Sequence, residues 1–126
     1  MHTLALLREL GFQWCSPAGG GAPSAGDGLV IVPFDWELVD AYHLMERFGD
    51  LRERRGDGRV AIDAAAAAER MWAAVCGGAG VRTVIMHPFL MLDRAWRGQV
   101  QRLLERMAAL GGVVSGGEFA RSRVGS

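Results

Sequence analysis

The run Leu29-Val30-Ile31-Val32 constrains this chain more than any other stretch. Four consecutive β-favouring aliphatics leave no polar face, so a strand built from them must be covered on both sides. That is the signature of a parallel sheet in an α/β fold. Pro33 stands at the end of the run, where a missing N–H does least harm. Val81 to Met86 (VRTVIM) reads as a second apolar strand, and it delivers His87 and Pro88 at its C-terminal end.

Helical patterns and turns alternate with these runs. Leu4, Leu7 and Leu10 recur at helical spacing and Gly11 stops them. Phe12 to Ser16 is a short aromatic strand, and Pro17 to Gly28 a surface loop. Asp35 is placed to cap a helix running to about Phe48, with Leu38, Val39, Tyr42, Met45 and Phe48 as its apolar stripe. Gly49 to Arg59 is charged and glycine-rich, a loop or a lid. Asp63 caps a helix to about Val75, and Asp93 caps a long one to Leu110. Val113 to Ser115 is a last short strand, with a turn of helix starting at Glu118. The expected fold class is α/β: about four mostly parallel strands with flanking helices, joined by right-handed crossovers. So small a sheet leaves edges to cover, and the order of elements reads as a partial (β/α) barrel.

A length of 126 residues fits a single domain over 1–126. Fourteen Lys and Arg balance fourteen Asp and Glu, which gives no one-signed field for nucleic acid or an anionic membrane surface. The apolar run from Leu29 to Phe34 is far shorter than the roughly 20 residues of a bilayer span. Arg8 and Glu9 interrupt what would be the core of a signal peptide, so a cytoplasmic chain is expected. Cys15 and Cys76 lack metal-site spacing and are expected as buried thiols, not a disulfide.

His87 is the sharpest chemical candidate. Ligands of parallel α/β folds bind beyond the C-terminal ends of strands, and a His fixed there by a following Pro is well placed for proton transfer. Its alternative is a satisfied structural histidine. Asp35 and Trp36 end the other buried strand and would emerge on the same rim. Asp35 reads either as a plain helix cap or as a carboxylate that orients the imidazole, and Trp36 as the wall of a small apolar pocket. Asp40, one helical turn on, reads from spacing alone as a solvated or capping carboxylate. His2, His43 and His87 are not spaced as metal ligands, so no metal is expected on this chain's own residues. The clusters Gly19-Gly20-Gly21 and Gly77-Gly78 lack a phosphate-binding register, and no Gly-x-Ser-x-Gly elbow occurs.

Three segments carry a resemblance. They are Leu10-Gly11-Phe12-Gln13-Trp14-Cys15-Ser16, then Leu29 through Tyr42 (LVIVPFDWELVDAY), then Val84-Ile85-Met86-His87-Pro88-Phe89-Leu90. With the closing long helix, Gly-Gly-Val-Val and Gly-Glu-Phe-Ala, they resemble the C-terminal half of a polysaccharide deacetylase domain. The resemblance implies a distorted (β/α) barrel and removal of acetyl groups from N-acetylated sugars with a divalent metal such as zinc. It also implies that His87 is the general acid on the leaving amine and that Asp35 or Asp40 is the carboxylate tuning it. Trp36, with Trp14, Pro88 and Phe89, would line the substrate groove.

The family's early Asp-Asp pair, His-x-x-x-His pair and arginine-bearing loop have no counterpart here. Without them no activated water is available and deacetylation by this chain alone is not expected. Three readings follow. The chain is an incomplete deacetylase half completed by a partner chain or by self-association into a homo-oligomer. Or it is a non-catalytic binding or interaction module, its groove lined by Trp14, Trp36, Phe89 and His87, that takes a small molecule or N-acetylated sugar. Or it is a metal-free acid/base enzyme, cyclase-like, using His87 and Asp35 in a dimer pocket.

Overall fold

Residues 2–26, 28–77 and 80–124 are described in the computed structural model. The Leu4/Leu7/Leu10 spacing yields helix α1, His2–Glu9, and Gly11 turns the chain at φ 84°. Trp14–Cys15 forms β1 and Leu29–Ile31 forms β3, paired parallel with Trp14 opposite Val30. The aliphatic run is covered as its composition demands: Leu29, Val30 and Val32 are buried, the two valines packing with Phe119 and Ala120 of helix α6 (Gly116–Val124).

The rest of the sheet differs from expectation. Within the segment read as a loop, Ser24–Gly26 forms β2 and pairs antiparallel with β3, giving a mixed sheet ordered β1-β3-β2. Glycines at positive φ make this reversal possible, Gly20 at 66° and Gly28 at 79°. Val81 to Met86 does not join the sheet. Its ladder contact is one isolated parallel bridge outside the sheet, between Ile85 and Val39. Val113 to Ser115 forms no strand, and Val113 is 71% exposed. The structure is 57% helical around a three-stranded mixed sheet, which overturns the partial (β/α) barrel of about four mostly parallel strands.

The helix expected from Asp35 to Phe48 is also broken. It becomes a 3-10 turn over Trp36–Leu38, the short helix α2 over Asp40–Leu44 and a second 3-10 turn over Glu46–Phe48. Val39 and Met45 are extended between them. The cause lies in the hydrogen bonds. Ile85 N–H donates to the Leu38 carbonyl at 2.9 Å and Asp40 N–H to the Ile85 carbonyl at 3.1 Å. Backbone groups that would have continued a helix are committed across the chain instead. Asp35 makes no side-chain cap.

Gly49–Arg54, read as loop or lid, is helix α3, held by a buried Arg52 that donates to the carbonyls of Tyr42, Met45 and Arg59. The two long helices follow the sequence closely. Asp63 caps α4 (Ala64–Cys76) through Ala66 N–H, and Asp93 caps α5 (Arg94–Leu110) through Trp96 N–H. They pack on each other through Ala67, Ala68, Met71, Trp96, Val100 and Leu103. Both cysteines are free thiols, but neither is fully buried: Cys15 is half-buried in β1 and Cys76 is exposed at the end of α4. No helix among the described residues is long and apolar enough to cross a membrane.

Candidate active site

The extended residues 84–86 divide their side chains as a strand does. Val84 and Met86 pack against the α4–α5 cluster, while Ile85 packs against Val39, Ala41 and Tyr42. The Ile85–Val39 bridge then sets a register in which Asp40, one residue past Val39, lies against His87, two residues past Ile85. That register builds the site.

The Asp40 side chain is fully buried, at 0% exposure. Its Oδ1 accepts from Ala41 N–H at 2.7 Å and from His87 Nδ1 at 2.6 Å, and its Oδ2 accepts from His87 N–H at 2.7 Å. One carboxylate therefore holds both the backbone and the ring of His87. Because a carboxylate accepts, Nδ1 carries the hydrogen and Nε2 is the nitrogen left to give or take a proton. The His87 side chain is 38% exposed, so the fixed imidazole remains within reach of a substrate. Phe89 stands edge-on to it at 5.6 Å between ring centroids, and Pro88 opens the 3-10 turn Pro88–Leu92 beside it. A carboxylate–imidazole pair with one free ring nitrogen has the geometry that general acid–base chemistry uses.

The other sequence candidates stand elsewhere. Asp35 faces Arg82 at 4.0 Å and crowds Gly20, where a Cβ would lie 2.3 Å from its Oδ1. Trp36 packs within an aromatic cluster, edge-on to Phe34 at 5.3 Å and stacked on Tyr42 at 6.1 Å. Trp14 lies over the start of α6, against Gly116. Asp40, His87, Pro88 and Phe89 are thus brought together, and Asp35, Trp36 and Trp14 are placed around other contacts.

Sequence reasoning gave no role to the polar group beside this site. His43 is buried, and its Nε2 donates to the Glu37 carbonyl at 2.8 Å. Burial, with the positive charges of Arg70 and Arg52, holds its pKa below the ordinary 6.5 despite that hydrogen bond. Tyr42 donates its hydroxyl to Asp57, and burial together with that bond raises the phenol's pKa. Tyr42 carried a sequence signal, its place on the apolar stripe, whereas His43, adjacent to it, stands off that stripe.

Among the described residues no three His, Cys, Asp or Glu side chains gather to hold an ion. His87 Nδ1 is bonded to Asp40 and His43 Nε2 to a carbonyl, which leaves one further nitrogen on each ring, Nε2 of His87 and Nδ1 of His43. Compared with family models, curated proteins and solved structures, the chain matches none.

Proposed function

We propose that this chain is the acid half of a deacetylase-like active site, with His87 as the general acid and Asp40 as the residue that positions it. The observation that carries the reading is the fully buried Asp40 carboxylate bonded to both the Nδ1 and the backbone N–H of His87. In this role protonated Nε2 gives its proton to the amine leaving an N-acetylated sugar, while the Asp40 carboxylate stabilises the imidazolium. Such transfer contributes about 10²–10⁴-fold to a rate. The order and spacing of the three resembling segments supply the substrate class.

The half that binds and activates water is the part this chain's residues do not supply, so the reading requires a second chain or a self-associated form. Its support is the surface leading into β1: Leu6, Leu10, Phe12 and Trp14 are exposed, and β1 has β3 as its strand neighbour on one side. A cytoplasmic site of action belongs to the same proposal.

Reconstitution tests it. The chain is mixed, with zinc, with a separately expressed deacetylase half bearing the Asp-Asp and His-x-x-x-His motifs. Complex formation is followed by light scattering and acetate release from N-acetylglucosamine oligomers by assay. A complex whose acetate release depends on His87 and Asp40 is expected. A complex that releases no acetate, or whose release survives His87→Ala, would sink the proposal.

A further inference from the structure

Beyond that reading, a second polar cavity of about 430 Å³ lies between α2, the turn after α3 and the C-terminal part of α4. It shares no lining residue with the Asp40–His87 pair. Its charged lining is Arg70 and Arg82 on one side of the ledger and Glu37 and Asp57 on the other, with the imidazole of His43 among them. Arg70 is exposed and makes no hydrogen bond or ion pair among the described residues. Arg82 is anchored through one nitrogen to the Ala74 carbonyl at 2.9 Å and has another 4.0 Å from the Asp35 carboxylate, while its buried Nε has no partner in the protein. His43 donates through Nε2, so its buried Nδ1 is a bare acceptor, also without a partner. Two of the unpartnered buried side-chain atoms therefore belong to residues that line this one cavity. Buried polar atoms are almost always satisfied, so each exception calls for an explanation, of which a further bound group is one.

From this lining we infer a binding site for a small zwitterion of the amino-acid type. Its carboxylate would lie against the guanidiniums of Arg70 and Arg82 and its ammonium against Glu37 and Asp57. The four charges sum to zero, so a plain anion meets two carboxylates and a plain cation two guanidiniums. A ligand carrying both signs is complementary to both halves. The volume lies within the usual range for small-ligand sites, about 300–1,000 Å³. Arginine's planar fork suits a carboxylate, and the neutral His43 ring leaves the local field to the charged groups.

The test is an NMR titration of the intact chain, reading the Ala73, Ala74 and Asp57 amides and the His43 ring. Three probes are compared: L-alanine, L-lactate (hydroxyl in place of ammonium) and L-alaninol (no carboxylate). L-Alanine should give saturable shifts with a dissociation constant of about 10 mM or tighter. Arg70→Gln, an exposed substitution, should weaken that binding about tenfold or more, a loss near 1.4 kcal/mol. His87→Ala should leave it unchanged, which separates this site from the acid pair. Failure of L-alanine to saturate, equal binding of L-lactate or L-alaninol, or full affinity in Arg70→Gln would overturn the inference.

Discussion

Asp40 and His87 are 47 positions apart in sequence, and one buried carboxylate accepts both the ring and the backbone hydrogen of the histidine. The double contact makes the aspartate a structural and a chemical partner together. Asn in its place keeps the shape but turns one acceptor oxygen into a donor, so one of the His87 N–H groups faces another N–H. Asp40→Asn should therefore lower stability by about 1–3 kcal/mol in urea unfolding. In the reconstituted enzyme it should also cut acetate release by roughly 10²-fold or more. Unchanged stability would mean that the contact is not made in solution.

His43 gives the chain a pH dependence of its own. Its folded pKa lies below the ordinary 6.5 because the ring is buried beside Arg70 and Arg52. The unfolded chain then binds a proton that the folded chain refuses, so stability rises with pH through this range. It is complete above about pH 6.5 and is lost progressively as pH falls below it. His43→Gln keeps a donor for the Glu37 carbonyl and does not titrate. Urea midpoints at pH 7.5 and 5.5 should fall for the natural chain and fall less for the variant. An equal fall in both would remove His43 as the cause.

The elements legible in the sequence were those specified locally. The Asp63 and Asp93 caps, the apolar faces of α4 and α5, and the burial of Leu29, Val30 and Val32 all follow from residues a few positions apart. The elements misread were decided at a distance. Val81 to Met86 has a strand's composition and a strand's alternation, yet its backbone bonds go to Leu38 and Asp40. The same two bonds break the helix expected from Asp35. The candidate site shows the division again. His87 was visible from its place after an apolar run, whereas Asp40 gained its role from a register that spacing alone does not encode. Asp35, the nearer carboxylate by sequence logic, faces Arg82.

Arg52 should be among the least replaceable residues. It is 1% exposed and its guanidinium serves carbonyls from three segments, at Tyr42, Met45 and Arg59. Met fills similar volume and donates nothing, which leaves those carbonyls to lose their bonds together. Arg52→Met should cost about 3 kcal/mol or more, each charge-assisted bond being worth about 1.5–3 kcal/mol. Hydrogen exchange should quicken first in residues 55–62, which the arginine ties to α2. Lys, with a point charge and no fork, should restore little of the loss.

The packing of β1 on α6 rests on a missing side chain. A Cβ at Gly116 would lie 2.2 Å from Trp14 Cζ2 and 2.5 Å from its Cη2, closer than carbon atoms tolerate. An indole is rigid, so the ring as a whole must swing away, and with it the contact between β1 and the start of α6. Gly116→Ala should destabilise the chain by about 1–3 kcal/mol, the usual cost of overpacking, although alanine is the better helix former. The cause is separable by a double-mutant cycle. Trp14→Ala removes the obstacle, so adding Gly116→Ala to it should cost little or be slightly stabilising. Additive losses in the double variant would show that Trp14 and Gly116 do not meet, and that the α6 cover over the aliphatic strand is held some other way.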